Sequence, residues 1–353
     1  MVPGFELLIN QEQPIRLLTT LLRNGTLPHA LLFTGTEGVG KQAAAVALAM
    51  ACNCQRELPE FKAEARSGQD PVNSSGEFSP ITMGACGACK SCKKIAAGNH
   101  PDIIRVHPGG PFIKIHQIRA LLQTLAMKPY EATTRVAIIS EAQALNASAS
   151  NALLKILEEP PSRTMLVLTA TRKSDLLPTI VSRCQNVGFN PIPKEKIAAW
   201  LKDEHGLEQQ SADIIAAMAK GSFSRARMMV NDNWLQHRKW VIDEMDRLAL
   251  EPIDRLFALA ERLSREKETI AQSLEIIKVW FRDLIINQYD AAKIINRDVA
   301  DKIESASWKN YVPDLLTKVD IVQKTQTRLA ANTNLRLTME GLLIELAQQK
   351  DHE

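Results

Sequence analysis

Several features that would assign this chain at a glance are missing from it. No stretch approaches the ~20 apolar residues that a membrane span needs. The start, Met1 to Gln11, lacks the basic residues and long apolar run of an export signal, so a cytoplasmic, thiol-reducing setting is expected. There is no overall basic field either. The formal net charge is +3, which leaves room for a local patch but does not demand a polyanionic partner. No internal repeat is present. The remaining composition, 45% hydrophobic and 24% charged, is that of a soluble globular protein, and 353 residues suit roughly two or three domains.

Two further absences are more specific. Gly35-Thr36-Glu37-Gly38-Val39-Gly40-Lys41-Gln42 matches the phosphate-binding pattern G-x-x-x-x-G-K-[ST] at every fixed position except the last. In that pattern the glycines let backbone N–H groups cradle phosphate oxygens, the lysine neutralises the β- and γ-phosphates, and the final hydroxyl holds Mg²⁺. Gln42 replaces the hydroxyl. Nucleotide hydrolases also end a buried strand in an Asp that holds Mg²⁺, often followed by a Glu that orients water. The matching segment here is Val136-Ala137-Ile138-Ile139-Ser140-Glu141. Glu141 keeps the water-orienting carboxylate, while Ser140 stands where the metal carboxylate belongs. Two altered positions at one ion predict lost hydrolysis. In the blander reading, Glu141 only caps the next segment and Lys41 is a structural survivor.

The surrounding pattern supplies the context that the loop requires. Leu31 to Thr34 reads as a buried strand, and Gln42 to Cys54, rich in Ala, Leu and Met, as a largely buried helix. Residues 55–80 are polar and aperiodic and read as a mobile surface insertion. Strands follow at 103–106, 136–139 and 165–168, with helices at 115–127 and 147–157, the last stopped by Glu158-Glu159-Pro160-Pro161. This alternation predicts an α/β domain with a mostly parallel sheet. After about residue 190 the strand signals fade. Short helices are expected over 194–230 and long amphipathic ones from about 236 onward.

Cysteine is used in a cluster. Cys86, Cys89 and Cys92 repeat at intervals of three, a compact knuckle that suits a metal better than a redox pair. A structural Zn²⁺ site takes four ligands. Cys52 and Cys54 both lie upstream at the end of the first helix, and His100 competes for the same place. Cys54, later in the chain and freer to leave the helix, is favoured, with Cys52 a core thiol. Four thiolates leave no open position for catalysis. Lys90, Lys93 and Lys94 flank the knuckle and read either as a solvated face or as phosphate contacts. Ser182-Arg183-Cys184, taken alone, carries no special role.

Taken in order, the glycine loop, the cysteine knuckle, Ile139-Ser140-Glu141, Asn151-Ala152-Leu153-Leu154-Lys155-Ile156-Leu157-Glu158-Glu159-Pro160-Pro161 and Ser182-Arg183-Cys184 resemble the bacterial replicative clamp loaders of the AAA+ class. The resemblance covers about residues 5 to 190 and extends more loosely through the helical remainder. It implies a RecA-like parallel sheet with flanking helices over 1–190, a small helical lid over 191–235 and an all-α collar over 236–353.

The family contains motor subunits, gamma/tau, with intact ATP sites, and a second subunit type that often has a degraded one. Gln42 and Ser140 place this chain with the second type. The resemblance then assigns roles. Gly35, Gly38, Gly40, Lys41, Gln42, Ser140 and Glu141 form a degenerate nucleotide site, with Thr171 near the polar sensor position. Arg183 is the arginine finger, acting in the neighbouring motor's ATP site. Cys54, Cys86, Cys89 and Cys92 hold zinc. Gly221-Ser222-Phe223-Ser224-Arg225 departs from the family's Gly-Ser-x-Arg pattern by one position, a further sign against an ATP site of its own. The implied partners are gamma/tau, a delta subunit, and, through the assembled complex, a sliding clamp and primed DNA. Competing readings are an active motor ATPase and a zinc-knuckle nucleic-acid module with a decayed loop.

Overall fold

A computed structural model describes residues 4–5, 8–55, 85–231, 233–248, 251–265, 267–330 and 333–348. Most of the polar insertion expected at 55–80 therefore lies outside the described residues. The chain clusters into two compact units, Met1–Lys196 with Lys220–Ser224, and Ile197–Ala219 with Arg225–Glu353.

The first unit is an α/β sandwich. Its sheet is built from β1 (Ala30–Thr34), β2 (Ile103–Val106), β3 (Arg135–Ile139), β4 (Thr164–Ala170) and β5 (Gln185–Gly188). The strands lie in the order β2-β3-β4-β1-β5, and every pairing is parallel. Parallel neighbours need crossovers, which the helices supply. α1 (Glu12–Arg23) precedes β1; between strands lie α2 (Lys41–Asn53), α3 (Lys90–Ala96), α4 (Ile115–Ala126), α5 (Ala147–Glu158) and the short α6 (Pro178–Val181).

Side chains alternate across the pleat, so each strand feeds two layers. Leu31, Phe33, Val136, Ile138 and Val167 pack with Ala44, Leu48 and Met50 of α2 on one face. Leu32, Ala137, Ile139, Leu166 and Leu168 pack with Ile118 and Leu121 of α4 and Leu153 and Ile156 of α5 on the other. Burial on both faces explains why these strands are continuous apolar runs. Two elements escape the sequence pattern. In β5 only Val187 is buried, so no apolar run marks it. In α1, Glu12–Arg23, no side chain caps the N-terminus, although Pro14, Ile15 and Leu18 are buried.

A buried ion pair locks the turn before β3. Asp102 and Arg135 are both almost fully buried, with Arg135 Nη2 3.2 Å from Asp102 Oδ1. The Asp102 carboxylate accepts the backbone N–H groups of Tyr130, Glu131 and Ala132. Arg135 donates to the carbonyls of Thr124, Met127 and Lys128. Burial opposes ionisation of Asp102, but these donors outweigh it and hold its pKa down to about 2.

Among the described residues the regular elements of the second unit are all helices. It contains α7 in large part (Lys194–His205), α8 (Gln209–Met218), most of α9 (Phe223–Asn231), then α10 (Trp234–Arg247), α11 (Ile253–Leu263), α12 (Lys267–Asn287), α13 (Ala300–Ser307), α14 (Val312–Ala330) and α15 (Leu335–Ala347). The long α12 packs against α10, α13 and α14, and α15 packs against α11 and α14. Arg238, 1% exposed, bridges Asn296 and Asp298 and pins the 294–299 segment to α10. No described helix is long and apolar enough to cross a membrane.

The Asp102 pKa is depressed in the fold, so its stabilisation is complete above the unfolded carboxylate value near pH ~4 and is lost as pH falls toward ~2. Asp102→Asn should lower unfolding free energy at pH 7 by about 3 kcal/mol, the range for breaking a buried pair. It should also flatten the acid-side decline in a melting-temperature series. An unchanged profile would show that the pair is dispensable.

Candidate functional site

Register decides which residues meet. Thr34 pairs with Ala170 and Ile139 with Leu168, so the ends of β1, β3 and β4 come out at one edge of the sheet. In parallel α/β sheets this carboxyl edge is where ligands bind. It brings the glycine loop, Ser140-Glu141 and Thr171 together.

The loop is folded as the sequence pattern requires, with Gly35, Gly38 and Gly40 all at positive φ, and α2 starts at Lys41. Lys41 Nζ donates to the carbonyls of Gly35 at 2.6 Å and Thr36 at 2.7 Å. Burial lowers its pKa, against the charges of Glu37 and Glu141, which raise it. Gln42 is exposed. Ser140 is buried, and its hydroxyl has no hydrogen-bond partner. Glu141 takes a left-handed backbone conformation, φ 54°, and its side chain makes no helix-capping bond. Its N–H donates to Thr169 Oγ1 at 3.1 Å. Thr171 contributes its carbonyl, which accepts the Gly35 N–H at 3.2 Å. Thr169 was not singled out from the sequence because it continues an apolar strand; only the register reveals its hydroxyl beside Glu141.

The loop is also packed closely by the rest of its own unit. Phe223 N–H donates to the Gly38 carbonyl at 3.0 Å. A Cβ at Gly38 would stand 2.1 Å from Ser222 Oγ, and one at Gly35 would stand 2.5 Å from the Phe189 carbonyl oxygen. Gln11, fully buried, donates to the Asn190 carbonyl and accepts the Asn190 N–H. A cavity of about 480 Å³ opens beside Gly35, Thr171 and Phe189; Lys41, Ser140 and Glu141 do not line it.

Arg183 follows α6 and is about one-third exposed. Its Nη2 lies 2.7 Å from Glu158 Oε1, and its Nη1 donates to the Thr179 carbonyl at 3.0 Å. The pair joins the Glu-Glu-Pro-Pro element to the Ser-Arg-Cys element. Such surface pairs contribute ~0–1 kcal/mol, so the guanidinium is positioned without being trapped. Cys184 turns inward against the apolar layer, and burial pushes its thiol up to about 11.

The ligand atoms of Cys54, Cys86, Cys89 and Cys92 all lie within 4.8 Å of one another. Cys54 is the residue on which α2 ends. Backbone N–H groups point at the sulfurs: Cys86 to Cys54, Cys89 to Cys86 and Cys92 to Cys89, at 3.3–3.4 Å. Burial opposes ionisation of Cys89, yet N–H donors from Cys92 and Gln55 bring its pKa down to about 6. Cys92 is raised by burial. Cys52 lies outside the group, its thiol pushed up to about 12 by burial. His100 is buried elsewhere, with Nδ1 accepting the Asp102 N–H and Nε2 3.7 Å from Glu131.

Comparison with known proteins follows this layout. The family model "DNA polymerase III, delta subunit" matches residues 10–75 and 74–193. The model for its C-terminal part matches residues 232–348. The delta-prime subunit of DNA polymerase III from Bacillus subtilis is 29% identical over 96% of this chain and 98% of its own length. The Haemophilus influenzae delta-prime subunit is 31% identical over 74% of this chain and 77% of its own length. The chain belongs to the DNA polymerase III delta-prime family. The Bacillus subtilis tau subunit also aligns, at 27% identity over 98% of this chain but 61% of its own length. Where the phosphate-loop pattern has a hydroxyl and the following strand end has an Asp, this chain carries Gln42 and Ser140.

Gly38→Ala should lower unfolding free energy by about 1–3 kcal/mol, through the clash with Ser222 and the positive φ. Combining it with Ser222→Ala should recover part of that loss in a denaturant melt. Full additivity would mean that the two residues do not share the space.

Proposed function

We propose that this chain is the delta-prime subunit of a bacterial replicative clamp loader, working in the cytoplasm as a structural member that does not turn over ATP. The carrying observation is the contrast between two sites. The Mg²⁺ positions hold an exposed Gln42 and a buried Ser140 without a partner, whereas Arg183 stays about one-third exposed on a weak surface pair. An arginine finger needs only a guanidinium presented to a neighbour, where its charge offsets that building on the transferred phosphoryl group. Arg183 fulfils that role in the ATP site of an adjoining gamma/tau motor. Residues 191–235 then act as a helical lid, and 236–353 as a collar that joins the motor and delta subunits. Opening of the sliding clamp and its closure on primed DNA belong to the assembled complex.

Zinc is the metal that we assign to the four thiols. Zn–S bonds of ~2.3 Å place tetrahedral sulfurs ~3.8 Å apart, which the observed grouping accommodates. Cys54, Cys86, Cys89 and Cys92 would hold it, and its contribution is structural: it ties the end of α2 to the start of α3. The purified chain should carry one zinc by elemental analysis, and Cys86→Ser should lower both zinc content and melting temperature. Metal-free protein with unchanged stability would end the assignment.

The family's motor subunits offer the second reading, supported by the tau alignment. The isolated chain should show no ATP turnover with Mg²⁺; turnover abolished by Lys41→Ala would make it a motor. In the reconstituted complex Arg183→Ala should slow hydrolysis at the site it serves by roughly 10³-fold or more, with assembly intact. Unchanged turnover per complex would remove the finger role.

A further inference from the structure

The lysines beside the cysteine knuckle are left unused by the delta-prime reading, and the fold gives them a setting that their sequence does not. Lys90, Lys93 and Lys94 stand at i, i+3 and i+4 on α3 and so share one face. The opposite face carries buried Ser91, Cys92 and Ile95. Lys94 Nζ holds Glu131 at 2.6 Å, which draws the 127–132 loop alongside the lysine face. That loop presents Lys128, Met127 and Tyr130 to solvent, with Tyr130 85% exposed and Met127 64% exposed.

An aromatic ring so exposed on a floppy loop would mean little. This loop is held from beneath by the buried Asp102–Arg135 pair, which takes up the N–H groups of 130–132 and the carbonyls of 127 and 128. The backbone that carries Tyr130 is thus held in place, and that part of the ordering cost is met by the fold before any ligand arrives. Lys128 precedes Tyr130 by two residues in the same loop, and the neighbouring Glu131 pairs with Lys94 of the lysine face.

We propose that this face, Tyr130 with Lys90, Lys93, Lys94 and Lys128, is a binding surface for single-stranded nucleic acid. The lysines meet successive phosphates and an unpaired base stacks on the Tyr130 ring. A duplex would satisfy the cations but has no free base face for the ring. Cations and an exposed aromatic side by side are the combination that sequence-tolerant single-strand binding uses.

The test is fluorescence anisotropy of a labelled oligothymidylate with the full-length chain, across a salt series. Binding should weaken linearly in log salt. Lys93→Glu with Lys128→Glu should reduce the slope by about 0.7 for each lysine that meets a phosphate. Tyr130→Ala should weaken binding at least about fivefold, with its melting temperature unchanged because the ring is in solvent. The duplex of the same length should respond to the lysine changes but not to Tyr130→Ala. Equal affinity of wild type and both variants would overturn the proposal. So would charge-dependent binding that Tyr130→Ala leaves intact and that an oligoglutamate peptide displaces, which would mark an acidic protein segment as the partner.

Discussion

Lateral pairing of β1, β4 and β3 is the constraint on which the rest of the first unit depends. Ala30 stands opposite Leu166, and Arg135 opposite Thr164. A slip of one residue would turn Leu31 and Phe33 out of one apolar layer and Leu32 out of the other. The same slip would carry Thr169 away from the Glu141 N–H and Thr171 away from Gly35. Packing and site placement are therefore a single constraint. The hydrophobic layers stabilise one register, and that register sets the glycine loop, the end of β3 with Glu141 and the end of β4 at one edge.

At that edge the glycine loop satisfies several of its own backbone carbonyls. Carbonyls of Gly35 and Thr36 accept from Lys41, and the Gly38 carbonyl accepts from Phe223. Unpaired backbone groups in such a tight turn would cost ~1–3 kcal/mol each. The loop thus keeps its shape through internal bonds, while Gln42 and Ser140 stand at the two positions that depart from the nucleotide-site pattern. The sulfur knuckle stands at the far end of the same helix, because Cys54 follows the last turn of α2.

Much of this was legible in the sequence wherever the signal was local. The glycine loop, the buried strands read at 31–34 and 136–139, and the spacing of Cys86, Cys89 and Cys92 each declare themselves within a dozen residues. What escaped depends on distance along the chain. Asp102 and Arg135 are charged residues in unremarkable surroundings until the fold buries them together. Thr169 looks like one more strand residue until β3 is laid beside β4. The approach of Ser222 to Gly38 joins segments that no local pattern connects. β5 was missed because its edge position leaves one buried side chain and no apolar run.

The crowding around the glycine loop bears on how such a motif ages. At position 42 the side chain faces solvent, so a drift from hydroxyl to amide meets no steric resistance. At positions 35 and 38 any drift from glycine drives a new carbon into the Phe189 carbonyl or the Ser222 hydroxyl. Mutation can therefore erase the catalytic letter of the signature freely, while the architectural letters stay locked by neighbours that have nothing to do with nucleotide. A lineage that stopped using ATP here would go on spelling most of the motif.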